Sequence, residues 1–200
     1  MTPHTRIHII RHGQVVGHDQ PRYNGQADVA LTDVGIEQYH VLKERLANTG
    51  ISACYTSDLS RCSVGAAIIC QNIDIDPVAR RELRELNIGI WEGLTWQEIR
   101  ENRPDEWRAR LADLVNHRVP EGECLLDVEA RVMPVINEIV ERHKGQEVLV
   151  VGHGGVNRIV LLNAIGAPLA RMFNIEQNYG CYNIVDYYVD GRATVKLLNG

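Results

Sequence analysis

Residues 7–14 of the chain read Ile7-His8-Ile9-Ile10-Arg11-His12-Gly13-Gln14. The apolar first half is typical of a buried β-strand, and this strand ends abruptly at a cation, an imidazole and a glycine. In an open α/β sheet, ligands bind in the crevice beyond the C-terminal ends of the strands. The stretch therefore predicts a central strand that places Arg11 and His12 at a binding edge.

Two later segments also place polar residues directly after a predicted strand. Val148–Val151 is followed by Gly152-His153-Gly154-Gly155, and Ile51–Thr56 is followed by Ser57-Asp58-Leu59-Ser60-Arg61. Glycines such as Gly154 let the backbone approach an oxyanion, and the helix start expected near Arg61 favours an anion. Because neighbouring parallel strands end at the same rim, we expect His12, His153 and Arg61 to meet there.

The whole chain alternates short β-like runs with helical patterns. This alternation predicts an α/β fold with three layers, α/β/α, around a largely parallel central sheet. The predicted strands are Arg6–Ile10, Ile51–Thr56, Asp76–Ala79 and Glu147–Val151. Helices are predicted over residues 32–50, 60–71, 95–102, 104–116, 125–144 and 155–165. Pro134 falls inside the fifth of these and is expected to kink it.

The C-terminal residues predict a different kind of strand pairing. Residues 184–189 and 194–198 flank Asp190-Gly191, a turn signal that indicates an antiparallel edge hairpin. An edge strand can pair with a second copy of the chain, so a homodimer is a further expectation. The length of 200 residues fits one hydrophobic core, and we expect a single domain over residues 1–200.

Charge and composition narrow the class of partner. A formal net charge of −5 argues against a broad nucleic-acid surface, and the apolar runs are too short to cross a bilayer, so neither nucleic acid nor membrane is expected as a partner. Residues 1–6 lack the apolar region of a signal peptide. Five cysteines, an odd number without a Cys-x-x-Cys pair, suit reduced thiols. We therefore expect a cytoplasmic protein.

The candidate site residues fall into ordered blocks. These blocks are Arg11-His12-Gly13, Arg22-Tyr23-Asn24-Gly25, Ser57-Asp58-Leu59 with Arg61, Leu83-Arg84-Glu85 with Trp91-Glu92-Gly93, Gly122-Glu123 with Arg131, and His153-Gly154-Gly155. In this order they resemble the histidine phosphatase superfamily, also called the phosphoglycerate mutase-like family. The first tripeptide alone is a weak signal, whereas the ordered set is a strong one.

The resemblance implies a role for each matching residue. It implies that His12 is the nucleophile that forms a phosphohistidine, that Glu85 is the general acid and base, and that His153 is also catalytic. It assigns phosphate binding to Arg11, Arg61 and Gly154, together with His153, and substrate binding to Asn24 and Gly25, with no metal and no cofactor. Trp91, which lies beside the acid segment, is expected to line the mouth of the site and to contact substrate. The substrate class it implies is a small-molecule phosphate ester.

Elementary chemistry agrees with these assignments. A neutral imidazole nitrogen can attack phosphorus, and flanking arginines disfavour the protonated ring while they neutralise the phosphate. Proton transfer to the leaving alcohol suits a partly buried carboxyl group, but the spacing of Glu82, Glu85 and Glu92 does not by itself select one. His4 and His8 share a strand face without a third ligand at zinc-type spacing, which gives no metal site.

Departures from the family pattern favour its phosphatase branch. Where the mutase subgroup has Arg-His-Tyr after the acid, this chain has Leu86-Asn87-Ile88, so a carboxylate clamp is missing. Short relatives with Trp-Glu-Gly after the acid resemble α-ribazole phosphatases. His18 replaces an asparagine common in the family, and its role stays open. Two alternatives also stay open: phosphoglycerate mutase-type transfer, and a non-catalytic module that binds phosphate esters.

Overall fold

The computed structural model describes residues 3–200, so Met1 and Thr2, at the start of the segment examined for a signal peptide, lie outside it. Within these residues the strands are β1 (His4–Arg11), β2 (Ile51–Thr56), β3 (Val78–Ala79), β4 (Glu147–Gly152), β5 (Tyr182–Tyr188) and β6 (Ala193–Leu197). The α-helices are α1 (Asp33–Leu46), α2 (Ser60–Cys70), α3 (Trp96–Asn102), α4 (Pro104–Ala112), α5 (Leu125–Arg142) and α6 (Gly154–Ala164). Short 3-10 helices cover Arg81–Leu83, Gly89–Trp91 and Leu169–Asn174.

The six strands form one mixed sheet in the order β3-β2-β4-β1-β5-β6. β4 runs parallel to both β1 and β2, with Arg11 opposite Gly152 and Thr56 opposite Val151. The three strands that precede the candidate site residues therefore end at one rim, as predicted. β5 pairs antiparallel with β1, and β6 pairs antiparallel with β5 and forms the edge. The predicted α/β class with its C-terminal antiparallel pair is confirmed.

Both faces of the sheet are covered because alternate side chains of the central strands point to opposite sides. Ile7 and Ile9 of β1 are buried in one cluster with apolar residues of α5 and α6. Ile10 is buried in a second cluster with residues of α1 and α2. Between α1 and α2 the approach is so close that a Cβ at Gly65 would collide with the ring of Tyr39. This packing holds the first turns of α2 and α6 against the rim.

The start of α1 agrees with the capping residue in the sequence, whereas its end and the course of α5 differ from the sequence prediction. α1 begins after Thr32, whose hydroxyl oxygen accepts a hydrogen bond from the Gly35 N–H at 3.1 Å. The helix ends at Leu46, before the predicted glycine stop at Gly50. α5 continues through Pro134, which lies on the exposed side, so the proline does not end the helix. No helix in the described part of the chain is both long and apolar enough to span a membrane.

Candidate active site

A cavity of about 190 Å³ opens at the rim where β1, β2 and β4 end. Its lining has a charged part and an apolar part. The charged and imidazole groups are Arg11, His12, Arg22, Arg61, Glu85, Arg110 and Arg158. The apolar wall includes Leu86, Leu114, Leu125, Val128, Ile159, Met172 and Phe173. One part of the cavity wall is therefore positively charged and another part is apolar, so the cavity suits a ligand with an anionic group and an uncharged group.

His12 sits directly after β1 and is 5% exposed. Its Nδ1 lies 2.8 Å from the carbonyl oxygen of Gly13, and because a carbonyl only accepts, Nδ1 carries the proton in this hydrogen bond. The lone pair is therefore on Nε2. Burial, reinforced by the positive charges of Arg11 and Arg61, lowers the pKa of His12 well below 6.5. The ring is therefore neutral at physiological pH.

Arg61 and Arg11 are held by backbone carbonyls rather than by carboxylates. Arg61 is 1% exposed, and its two terminal nitrogens donate to the carbonyl oxygens of Ala27 and Gly25, each at 2.7 Å. Arg11 Nη1 donates to the Gln177 carbonyl oxygen at 2.6 Å. Among residues 3–200, neither arginine has a hydrogen-bond partner for its buried Nε–H. Both side chains keep their positive charge uncompensated beside His12.

His153 lies beside His12 in the interior. The two ring centroids are 5.3 Å apart, and His153 is fully buried. Its Nε2 is 2.8 Å from the Ser57 hydroxyl oxygen. Burial, with Arg61 and His12 contributing next, lowers the pKa of His153 well below 6.5. The second imidazole is therefore also neutral, and a residue at the end of β2 orients it.

Glu85 enters the same cavity from the loop after the first 3-10 helix. Its Oε1 accepts from the Leu86 N–H at 2.9 Å, and its Oε2 accepts from the Gly155 N–H at 3.0 Å. The other two acids lie elsewhere: Glu82 is exposed, and Glu92 accepts from the Gln26 N–H. Within the described residues, Glu85 is the one carboxylate in the lining. Sequence spacing could not select one of the three acids, whereas the structure places only Glu85 of the three in the cavity lining.

The remaining predicted residues divide between the cavity and its surroundings. Asn24 and Gly25 line the cavity, and Gly25 has a positive φ of 50°, where a Cβ would also collide with the Glu92 carboxylate. Gly154, the first residue of α6, is buried next to Arg11. His18 is exposed and is not part of the lining.

The prediction that Trp91 contacts substrate is wrong for this cavity. Trp91 is fully buried, its indole N–H donates to Glu106 at 3.1 Å, and its ring packs against Trp107. It is shielded from the cavity because the 3-10 helix Gly89–Trp91 turns the ring into a small core cluster. Trp96, 43% exposed, lines the cavity instead.

The structure adds residues that the sequence did not single out. Arg158 lies four residues after Gly154 on α6, so helical spacing could have placed it at the rim. Tyr179 reaches the site from the segment before β5, where its ring lies 4.1 Å from the Arg11 guanidinium carbon. Only the tertiary fold brings that segment to β1, and no local pattern signals it.

Comparisons with known proteins identify the family. Residues 7–200 match the model of the family described as histidine phosphatase superfamily (branch 1). A Mycobacterium tuberculosis protein named Bifunctional protein Rv2228c is 32% identical over 98% of this chain, which spans about half, 54%, of that protein's length. A probable phosphoglycerate mutase GpmB of Yersinia pestis is 30% identical, over 82% of this chain and 76% of that protein.

Solved structures share the fold over nearly the whole chain. The α-ribazole phosphatase from Shigella flexneri superposes with a TM-score of 0.88 at 26% identity, covering 98% of this chain and 96% of that protein.

Proposed function

The chain belongs to branch 1 of the histidine phosphatase superfamily, and on this premise we propose that it hydrolyses a small-molecule phosphate monoester through a phosphohistidine on His12. The observation that carries the proposal is the free Nε2 lone pair of a neutral, buried His12 in a cavity that also holds Arg11, Arg61 and Glu85. A neutral nucleophile surrounded by guanidinium groups matches the charge needs of phosphoryl transfer.

In the first step, the Nε2 lone pair of His12 forms a bond to phosphorus while the bond from phosphorus to the ester oxygen breaks. The leaving oxygen takes the proton of a protonated Glu85. The unpartnered Nε–H groups of Arg11 and Arg61 are suited to donate to the phosphoryl oxygens, which would satisfy two buried donors. His153, held by Ser57, supplies a further neutral donor or acceptor next to His12.

In the second step, water attacks phosphorus and the bond to His12 breaks. Glu85, now a carboxylate, accepts the proton of that water, so inorganic phosphate leaves and the starting protonation states return. The two backbone N–H groups that hold Glu85 keep its oxygens at the same place for both proton transfers. No step of this sequence uses a metal ion or a cofactor.

The substrate and the cellular setting are parts of the same proposal. The likeness to an α-ribazole phosphatase makes α-ribazole phosphate one ester to test. The five cysteines are free and buried in the described structure, which supports a reducing compartment, and we place the reaction in the cytoplasm.

The test is hydrolysis of p-nitrophenyl phosphate in the presence of EDTA, with wild-type protein and His12→Ala. We expect activity in the wild type and none in the variant, and we expect acid-labile labelled phosphate on the wild type after a quench. Tight binding of phosphate esters without any release of phosphate would instead favour a non-catalytic binding module. Isomerisation of 3-phosphoglycerate faster than hydrolysis would favour a mutase, the activity in the name of the Yersinia relative.

A further inference from the structure

The cavity carries more positive charge than one phosphate group requires. Five guanidinium groups line it, those of Arg11, Arg22, Arg61, Arg110 and Arg158, against the single lining carboxylate of Glu85 in the described residues. The proposed chemistry uses Arg11 and Arg61 beside His12. The remaining cations need a separate explanation, because buried charge without a partner is costly.

Arg110 is the clearest case. Arg110 is 3% exposed, and no carboxylate among residues 3–200 forms an ion pair with its guanidinium group. Its Nη1 donates to the carbonyl oxygens of Leu114 and His117, each at 2.7 Å, which fixes the guanidinium, and Asp113 interacts with its charge without forming an ion pair in the described structure. A guanidinium fixed in this way, and lining a cavity, is prepared to bind an anion.

Arg22 lines the same cavity and is also incompletely satisfied. Its Nη2 donates to the Gln20 side chain at 3.2 Å, while its buried Nε–H has no partner in the described structure. The next residue, Tyr23, lies in the lining as well. Arg22 and Tyr23 are therefore further polar residues of the cavity wall, besides Arg11, His12 and Arg61.

The two cationic groups act on different parts of the cavity. Arg110 lies on α4, whereas Arg11 is the last residue of β1 and Arg61 lies in the first turn of α2. Leu86, Leu125 and Val128 supply apolar wall. The cavity wall thus offers cations beside His12, an apolar part, and a further arginine, Arg110, on a separate element.

We propose that the alcohol part of the substrate carries a second anion, a carboxylate or a second phosphate, which Arg110 binds with help from Arg22. The inference rests on the proposed phosphomonoesterase function and narrows its substrate class. It differs from the carboxylate clamp that follows the acid in the mutase subgroup, since Leu86 occupies that place here. Arg110 reaches the cavity from α4 instead.

The test compares esters that differ only in the second anion. One series is ω-carboxyalkyl phosphates of increasing chain length, each paired with its carboxamide. The other is alkanediol bisphosphates, each paired with its monophosphate. We expect at least one chain length at which the two-anion ester has a kcat/KM about tenfold or more above its partner, since a charge-assisted hydrogen bond in a buried site is worth that factor. The two series show whether carboxylate or phosphate is preferred.

Arg110→Gln should reduce this ratio to about one. Arg108→Gln is the matched control, because Arg108 lies on the same helix, is largely exposed and pairs with Asp105 outside the cavity. The control should keep the ratio. An Arg110→Gln protein that fails to fold leaves the wild-type ester pairs as a complete test on their own.

Three results would overturn the inference. They are equal kcat/KM for every pair in the wild type, a ratio that survives Arg110→Gln, and a higher kcat/KM for α-ribazole phosphate, which has no second anion, than for every two-anion ester. Calorimetric binding of the same pairs to His12→Ala separates this question from turnover. If wild-type protein hydrolyses no ester, the phosphatase proposal fails, while a calorimetric preference for the two-anion member still supports the second anion site.

Discussion

The carboxylate of Glu85 and the backbone N–H of Gly155 are joined by a hydrogen bond of 3.0 Å, which ties the acid to the first turn of the helix that follows His153. The contact leaves no room for a side chain, because a Cβ at Gly155 would lie 2.5 Å from Glu85 Oε1. The acid and the second imidazole are therefore positioned by the same turn of α6.

Gly155→Ala should damage catalysis more than stability. Alanine is favourable in a helix, but its methyl group displaces the Glu85 carboxylate, and a misplacement of about 1 Å can cost roughly 100-fold in rate. We expect kcat/KM for an alkyl phosphate to fall by about 10- to 100-fold, and kcat/KM for p-nitrophenyl phosphate to fall less, because kcat/KM reports the first step and that leaving group needs little protonation. Steady-state kinetics on both esters measure this difference.

Asn163→Ala, an exposed change late in the same helix, serves as the control and should leave both rates unchanged. Equal losses of kcat/KM on the two esters in Gly155→Ala would contradict a role for Glu85 in protonating the leaving group.

The nucleophile should stay neutral in mildly acidic solution. Burial and two neighbouring arginines lower the pKa of His12 well below 6.5, so the neutral form persists as the pH falls through 6.5, and the folded ring protonates only at lower pH. The acid limb of kcat/KM that belongs to His12 should then lie below pH 6.5. Nitrogen-detected NMR of the imidazoles should show the Nδ1–H tautomer of His12 at about pH 6.

Exposed His18 gives the internal comparison for that spectrum. A His12 signal that titrates at or above pH 6.5 would show that the arginines and burial do not keep the ring neutral.

The residues closest to the chemistry were predictable because local sequence places them. Arg11, His12 and His153 each follow an apolar strand, and parallel strands must end at one rim. The sequence could not show that Trp96 rather than Trp91 lines the cavity, because this depends on how the loop turns at Gly89. Gly89 has a positive φ of 56°, and its N–H donates to the Asn87 side chain. The contact of Tyr179 with Arg11 could not be predicted from local sequence either, because more than a hundred residues separate the two.

The two tryptophans should respond differently to substitution. Trp91→Phe replaces the buried indole with a smaller ring and removes the hydrogen bond to Glu106, which should lower the free energy of unfolding by about 1–3 kcal/mol and leave KM unchanged. Trp96→Ala should raise KM, with a loss of stability below about 1 kcal/mol, because the side chain is partly exposed at the cavity. Urea denaturation and steady-state kinetics measure the two quantities. A raised KM in Trp91→Phe alone would restore the original assignment of Trp91 to the substrate site.

Arg131 of α5 should be needed to hold the loop that carries Glu85. Its guanidinium donates to the carbonyl oxygens of Arg84 at 2.8 Å and of Glu85 at 3.0 Å, and it pairs with Glu123 at 2.7 Å. Glu123 in turn accepts from the Asn87 N–H at 2.9 Å, so one ion pair secures the loop on both sides of the acid. Arg131→Met removes the ion pair with Glu123 and the donor to the Arg84 carbonyl oxygen, and leaves the Glu85 carbonyl oxygen with Gln26 alone. We expect a loss of about 2–4 kcal/mol in the free energy of unfolding, with a fall in kcat.

Arg142→Met tests whether any lost ion pair on α5 would have the same effect. Arg142 forms an exposed pair with Glu138 one turn earlier on the helix, and such surface pairs contribute about 0.5 kcal/mol or less. We therefore expect Arg142→Met to keep both stability and kcat. If the two variants lose the same stability in urea denaturation, or if Arg131→Met keeps full kcat, Arg131 does not position Glu85. A fall in kcat/KM that is larger for alkyl phosphates than for p-nitrophenyl phosphate would trace the defect to the acid, because kcat/KM reports the first step and only the poorer leaving group needs the proton of Glu85 there.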